Sequence, residues 1–230
     1  MGVSIKELNE QVINCVKCPR LVEYRERVAR EKVRRFMAEE YWGRPVPGFG
    51  DVDPALLIVG LAPAAHGANR TGRMFTGDSS GDWLYKALFE TGFANQRESH
   101  NAGDGLRLHG VYVTASARCA PPDNKPLPEE IANCRTYLLE ELRLFKNISV
   151  ILTLGQIAFK NICLIFSAKG LKFGHDLLYE LPDGKYLLSS YHPSRQNTQT
   201  GVLKWDAWIN VFMRAKSLIS ENPSGKASII

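Results

Sequence analysis

The sequence has no run of about 18 apolar residues, the length that a membrane-spanning helix needs. Its first residues, MGVSIKE, lack the apolar core of a secretory signal peptide, so we expect a cytoplasmic protein. It also has no internal repeat and no low-complexity segment, and we therefore expect an ordinary globular chain rather than a repeat array or a fibre.

Neither sign of charge is in large excess. Lys and Arg number 29 against 24 Asp and Glu, which gives a net charge of +5 and permits a polyanionic partner without requiring one. The chain has 230 residues, 44% of them hydrophobic, which suits one domain. We assign residues 1–221 to a single domain and the polar segment 222–230 to a loose C-terminal tail.

Apolar runs and amphipathic segments alternate along the chain. The predicted strands cover 55–61, 111–117, 150–154 and 186–191. The predicted helices cover 3–14, 20–39, 80–90, 128–145, 156–166 and 202–220. Residues 106–108 and 171–181 are candidates for short additional strands. This alternation predicts an α/β fold, with a parallel sheet and helices on both of its faces.

Two polar, glycine-bearing loops follow predicted strands. They span 60–75 and 192–201, and they contain histidine, arginine and several amide side chains. Loops at the carboxyl ends of parallel strands are where open α/β sheets bind their ligands. We therefore predict that both loops contribute to one binding site.

Four of the five cysteines suggest a metal site. Cys15 and Cys18 form a C-x-x-C pair, and Cys119 and Cys134 lie far downstream. Four thiolates can hold zinc or a four-iron cluster, and the absence of a second C-x-x-C favours iron over a zinc ribbon. The alternative is that Cys119 and Cys134 are ordinary buried thiols. Cys163 lies in an apolar run and is predicted to be a core residue.

Long motifs in a fixed order resemble the uracil-DNA glycosylase superfamily, and in particular its type b (family 5) iron–sulfur branch. Besides the cysteines they are PVPGFG at 45–50, GLAP at 60–63, GRMFTGD at 72–78, RCAPP at 118–122 and HPSRQNTQTG at 192–201. The resemblance implies a three-layer α/β/α sandwich with a central four-stranded parallel sheet. It also implies a [4Fe–4S] cluster on Cys15, Cys18, Cys119 and Cys134, with zinc as the alternative.

The activity implied is that of a monofunctional enzyme of base excision repair, which hydrolyses the N-glycosidic bond of uracil in DNA after flipping the base. Three residues match catalytic positions of the family. His192 would hydrogen-bond the developing uracil anion, Asn124 would read the edge of the base, and Asp78 would activate water. The competing role for Asp78 is to cap the helix that begins near Ser80. Asp82 is a weaker substitute.

The base-binding positions implied are Gly60, Ala62, Ala64 and Phe75, together with Asn124. Phe75 would stack on the flipped base. Ala62 stands where most relatives carry Asp or Asn, and it can do no acid–base chemistry. Ala64 stands where relatives specific for uracil carry a tyrosine. We therefore expect a wider range of substrates, which includes 5-substituted uracils and hypoxanthine.

The remaining implied contacts are with the DNA backbone. They come from Gly67, Asn69, Arg70, Ser194 and Arg195, while Arg195 or Gln196, or a residue of another loop, would fill the vacated base stack. The expected partner is DNA that contains uracil or other deaminated bases, bound by a nucleoid-associated monomer. A sliding clamp cannot be read from the sequence.

Two alternatives stay open at this point. Because Ala62 lacks a carboxylate, the chain is alternatively a non-catalytic iron–sulfur or zinc protein that binds nucleic acid. A nucleotide hydrolase would need a carboxylate cluster for Mg²⁺, and Asp78 and Asp82 offer little of one.

Overall fold

The computed structural model describes residues 3–221, so the predicted tail at 222–230 lies outside the described residues. A six-stranded sheet forms its centre, in the order β1-β3-β2-β4-β6-β5. The strands are β1 Phe49–Gly50, β2 Leu56–Gly60, β3 Val111–Ala115, β4 Val150–Leu154, β5 Leu177–Glu180 and β6 Tyr186–Ser190. Assignment of residues 1–221 to one domain stays a prediction.

The four predicted strands form the parallel centre of this sheet, and the α/β class is confirmed. The strand count of four needs correction, because β1 and β5 add antiparallel edges on either side. Strand β1 has only two residues within a loop rich in proline and glycine, so no alternation marks it in the sequence. Strand β5 falls in the segment 171–181, whereas Leu108 in the other candidate segment forms only an isolated bridge with Ala94.

The helices are α1 Ile5–Ile13, α2 Pro19–Glu31, α3 Ala68–Thr71, α4 Ser79–Glu90, α5 Pro128–Leu144, α6 Gln156–Ile165, α7 Arg195–Gln199 and α8 Trp205–Glu221. The prediction of one helix over 20–39 is wrong. Helix α2 stops at Glu31 because Lys32 has a φ of 54°, and a short 3₁₀ turn over Arg34–Phe36 follows. No helix within residues 3–221 combines the length and the apolarity needed to cross a bilayer.

The sheet is buried on both faces, which gives the predicted three layers. Leu56 and Ile58 of β2 point into a core that includes Leu88 of α4 and Phe212 of α8. Their neighbours Leu57 and Val59 point to the opposite face, where α5 and α6 contribute Leu138, Phe159 and Ile162. Burial on both faces explains why the parallel strands are continuous apolar runs rather than alternating ones. Because β2, β4 and β6 are parallel, the loops after β2 and β6 lie at the same edge of the sheet.

Candidate active site

A pocket of about 370 Å³ lies at the carboxyl ends of β2 and β6. We call it the strand-end pocket. Among the residues that line it are Ala62, Ala64, Phe75, Asp78, Asn124, His192, Ser194, Arg195 and Gln196. Both predicted loops therefore contribute to one cavity, whose volume lies in the range of small-molecule sites.

Phe75 and His192 stand side by side in this pocket. Their ring centroids are 5.8 Å apart, and the ring planes differ by 29°. Phe75 has a φ of 53°, a left-handed conformation that is strained for a large side chain. Gly60 does not line the pocket but supports the Phe75 ring, because a Cβ at Gly60 would lie 2.7 Å from two ring carbons. The chain thus holds Phe75 in an unfavourable backbone conformation that directs its ring into the cavity.

The carboxylate of Asp78 is divided between two environments. Its Oδ1 accepts hydrogen bonds from the backbone N–H groups of Ser80 at 2.9 Å and Gly81 at 3.1 Å, so it caps helix α4. Its Oδ2 lies against the Cα of Gly67, where an added Cβ would come within 2.1 Å. No hydrogen bond to Oδ2 is found within residues 3–221. The predicted alternatives of capping and catalysis are therefore compatible in one side chain.

His192 is held in the pocket in its neutral form. Burial lowers the pKa of the imidazole from its ordinary value of 6.5, and the negative charge of Asp78 partly opposes this shift. The backbone beneath it is fixed by Asn197, whose Nδ2 donates to the carbonyl of His192 at 2.8 Å. A neutral imidazole in this position offers an N–H to an anion that develops beside Phe75.

Asn124 reaches the mouth of the pocket from a 3₁₀ turn over Pro122–Asn124. Asp123 and Asn124 have φ values of 53° and 56°, so two successive residues adopt the left-handed conformation. Asparagine tolerates this conformation better than most residues do. The side chain is exposed and is free to meet a ligand that enters the pocket.

A wider groove of about 920 Å³ continues from the pocket. It shares Asp78, Asn124 and Arg195 with the pocket and also reaches Asp82. Partial burial, and secondarily the charge of Asp78, raises the pKa of Asp82 above its ordinary value of 3.8. The groove gives the pocket an open approach along the protein surface.

Asn69 and Arg70 have structural roles that the sequence does not reveal. The Asn69 side chain is fully buried, and its Nδ2 donates to the carbonyls of Arg25 at 3.2 Å and Ala65 at 3.4 Å. Arg70 donates to the carbonyls of His66 and Gly77 and pairs with Glu39. Because these bonds occupy both side chains, their predicted contacts with phosphate stay a prediction without geometric support.

The second loop is more accessible to a ligand at the rim of the pocket. Ser194 caps helix α7, and its Oγ accepts from the N–H of Asn197 at 3.3 Å. Arg195 and Gln196, the two candidates for the wedge, are exposed at the rim of the pocket. Gly67 lines the neighbouring groove rather than the pocket itself. The role of Arg195 or Gln196 as a wedge stays a prediction.

The four predicted metal ligands line one small cavity, which we call the cysteine cavity: Cys15, Cys18, Cys119 and Cys134. Within residues 3–221, no group of three or more His, Cys, Asp or Glu side chains is arranged to hold a metal ion. Burial raises the pKa of the Cys119 thiol to about 12, so this thiol is protonated at neutral pH unless a metal displaces the proton. Cys163 lies apart from the cavity and is only partly buried against the core, so the prediction that it is a core residue holds only in part.

Two buried arginines also line the cysteine cavity, and sequence reasoning missed them. Arg25 is only 4% exposed, and its Nη1 donates to the Sγ of Cys119 at 2.9 Å. Arg118 is 1% exposed and pairs with the fully buried Glu141 at 2.6 Å. A signal for Arg25 was available, since its spacing from Leu21 and Val28 places it on the buried stripe of α2.

Comparison with known proteins shows which family this chain resembles. Residues 47–212 match the model of a family described as the uracil DNA glycosylase superfamily. A protein of Thermus thermophilus named "Type-5 uracil-DNA glycosylase" is 51% identical over 206 residues, which cover 89% of this chain and 93% of that protein. A relative of the same name in Mycobacterium bovis is 50% identical, and the match covers 94% of this chain and 82% of that protein. Another in Pyrobaculum aerophilum is 43% identical, and the match covers 89% of this chain and 89% of that protein.

These matches include both loops of the strand-end pocket and extend over nearly the whole sheet. Identity of about half over nine-tenths of the chain confirms the resemblance that the motifs suggested. The chain therefore belongs to the uracil DNA glycosylase superfamily.

Proposed function

We propose that this protein is a monofunctional uracil-DNA glycosylase, which binds DNA, flips a uracil into the strand-end pocket and hydrolyses its N-glycosidic bond. The observation that carries the proposal is that Phe75, Asp78 and His192 line one pocket of suitable size. The names of the relatives support the same reaction.

The flipped base would bind by stacking and edge recognition. The ring of Phe75 provides the stacking surface, because aromatic faces bind bases without requiring a particular hydrogen-bond pattern. The side-chain amide of Asn124 presents one acceptor and a donor group, which complement the alternating N–H and C=O groups on the edge of uracil. Extruding the base costs unstacking energy, which these contacts and the backbone contacts of the Ser194–Gln196 loop offset.

His192 stabilises the leaving group. As the bond between the sugar C1′ and the base N1 breaks, negative charge develops on the uracil oxygens. The neutral imidazole donates its N–H to that charge, in a buried position where such a bond is stronger than in water. A donor of this kind contributes roughly 3 kcal/mol to the transition state.

Asp78 acts on the opposite side of the reaction. Its Oδ2 accepts a proton from a water molecule as the water oxygen forms the new bond to C1′, and the base departs with the electron pair of the broken bond. The carboxylate also stabilises the positive charge that develops on the sugar. Because Oδ1 is bound to two N–H groups of α4, the helix holds the carboxylate in a fixed orientation.

We further propose that the cysteine cavity holds a [4Fe–4S] cluster on Cys15, Cys18, Cys119 and Cys134. The residue types fit, because four cysteines line one cavity beside two buried arginines that have unpartnered N–H groups, although the described side chains are not arranged to hold a metal ion. When bound, the cluster supplies a cross-link between the start of α2, the loop after β3 and helix α5. Zinc is the alternative, and assays for iron and acid-labile sulfide distinguish the two metals.

Ala64 leads us to propose a range of substrates wider than uracil. It lines the pocket with a single methyl group, and Ala62 beside it is equally small. A pocket without a steric block discriminates weakly against an added substituent. We expect excision of 5-hydroxymethyluracil and hypoxanthine as well as uracil, and the Ala64→Tyr substitution should narrow this range to uracil. Equal excision of all three bases by Ala64→Tyr would contradict this assignment.

The central test is strand scission by alkali after incubation with an oligonucleotide that contains one uracil. The wild-type protein should give a cleaved strand, and a matched oligonucleotide with thymine reports the background. His192→Ala should reduce the single-turnover rate about 100- to 1,000-fold, since it removes a donor to the developing anion. His109→Ala, at an exposed site away from the pocket, is the control and should retain the wild-type rate. An intact uracil strand with the wild-type protein would favour the non-catalytic binding protein.

A further inference from the structure

Arg25 carries a buried charge that the protein itself hardly compensates. Its side chain is almost inaccessible, and the nearest carboxylate is that of Glu26, which is 3.8 Å away and half-exposed. Its Nη1 donates to the Sγ of Cys119 and to the carbonyl of Cys15, while the buried Nε has no hydrogen-bond partner among residues 3–221. A buried cation with so little compensation is costly unless an anion lies beside it.

Arg118, which also lines the cysteine cavity, likewise has buried N–H groups without hydrogen-bond partners in the described part of the chain. Its Nη2 is bound to Glu141, so its charge is neutralised. Its Nε and Nη1 are nevertheless buried without partners in the described part of the chain. Both arginines line the cavity that the four cysteines share. Two arginines that have unpaired N–H groups therefore line the cavity in which thiolate and sulfide sulfurs would carry negative charge.

We propose that Arg25 is the counter-charge of the iron–sulfur cluster, and that it acts through its hydrogen bond to Cys119, with Arg118 as a second donor. This inference rests on the proposed cluster but not on the proposed glycosylase reaction. Hydrogen bonds and positive charge at the ligand sulfurs stabilise the more electron-rich state of a cluster. Arg25 therefore raises the reduction potential and slows the loss of iron.

The test compares wild type, Arg25→Gln, Arg25→Lys and Arg30→Gln, all purified without oxygen. Arg30→Gln is the matched control, because it removes one positive charge from the exposed face of the same helix. Three quantities are measured: iron and sulfide per chain, the midpoint potential by voltammetry, and the half-time of bleaching of the visible absorption in chelator. Circular dichroism reports whether each variant is folded.

For Arg25→Gln we expect the equilibrium constant for one-electron reduction to fall at least tenfold, a decrease of about 59 mV in potential. Bleaching should be at least tenfold faster. Arg25→Lys keeps the charge but not the planar donor group, so both changes should be smaller. In Arg30→Gln, the equilibrium constant for reduction and the bleaching rate should both stay within twofold of wild type.

If Arg25→Gln has an equilibrium constant for reduction and a bleaching rate that are both within twofold of wild type, the proposal is overturned. If Arg25→Gln does not fold, Arg25→Lys decides, and wild-type behaviour of that variant overturns the proposal equally. Wild-type protein that excises uracil but contains no iron or sulfide would overturn it while leaving the glycosylase function intact. Protein with a cluster and the expected shift, but without strand scission, would support it and contradict the glycosylase function.

Discussion

At the scale of single residues, Asp78 combines two roles that usually compete for a carboxylate. Oδ1 satisfies two backbone N–H groups at the start of α4, whereas Oδ2 lies against Gly67, which lines the adjoining groove. Capping therefore does not withdraw the side chain from catalysis, because it fixes one oxygen and thereby aims the other. Two substitutions at this position separate the roles.

Asp78→Asn should lose activity but keep stability. The amide oxygen still caps α4, so we expect the free energy of unfolding in urea to stay within about 0.5 kcal/mol of wild type. Proton acceptance from water is lost, and the single-turnover rate on uracil DNA should fall at least as far as in Asp78→Ala. Asp78→Ala should lose the cap as well and cost about 1 kcal/mol. Normal turnover in Asp78→Asn would assign the residue to capping alone.

The protonation of His192 gives a second prediction at this scale. Its folded-state pKa is lowered, so protons bind the unfolded chain more tightly and the neutral form favours folding. This contribution to stability is complete above pH of about 6.5 and is lost as the pH falls through the lower, folded-state pKa. A proton NMR titration of the ring should show a midpoint below that of an unfolded peptide.

Asp78→Asn provides the internal check on that titration. Because the charge of Asp78 raises the pKa of His192, the variant should move the midpoint to still lower pH. A midpoint that rises in Asp78→Asn would contradict the electrostatic link between the two side chains.

The residues of the pocket were largely predictable from the sequence, but the bonds of individual side chains were not. Motif order and loop position identified Phe75, Asp78 and His192, which do line one cavity. The burial of the Asn69 side chain could not be predicted, because a polar residue in a loop gives no sign that its amide binds buried carbonyls. Arg25 was similarly overlooked among several exposed basic residues, although its helical spacing marks the buried face.

At the scale of elements, Asn69 links helix α2, which begins next to the cysteine cavity, to the loop of the strand-end pocket. It lies in α3, immediately after the loop that carries Ala62 and Ala64, and its amide binds the backbone carbonyl of Arg25 in α2. The same amide binds the carbonyl of Ala65 within the loop. The position of the pocket loop relative to α2 thus depends on one buried side chain.

Asn69→Ala should loosen this link. It leaves two carbonyls without their donor in a buried site, which should lower the free energy of unfolding by about 1–3 kcal/mol. The KM for uracil DNA should rise more than kcat falls, because the loop loses its position while the catalytic groups remain. Asn95→Ala, which alters an exposed loop, is the control. A fall in kcat that exceeds the rise in KM, with the free energy of unfolding unchanged, would contradict a positioning role.

At the scale of the whole molecule, the sequence predicted the part of the sheet that is buried on both faces. Strands such as Val150–Leu154 are continuous apolar runs, and every residue of that strand is buried. Of the two edge strands, β1 was not predicted, and β5 was only a candidate within 171–181, since Leu177–Glu180 is half-exposed and pairs with one neighbour only. The stop of α2 at Lys32 depends on a left-handed backbone that no glycine marks.

The cysteine cavity joins segments that are otherwise far apart in the chain, so removal of one of its cysteines should lower the stability of the entire fold. The four cysteines lie between residues 15 and 134. Bonds to the proposed cluster across this span would restrict the unfolded chain as a disulfide does, and would stabilise the fold by roughly 3–5 kcal/mol. Cys134→Ser should therefore lower the melting temperature and abolish bound iron. Cys163→Ser, at a partly buried site outside the cavity, should keep the iron and lose much less stability. Equal melting temperatures and equal iron contents in the two variants would mean that Cys134 is an ordinary buried thiol.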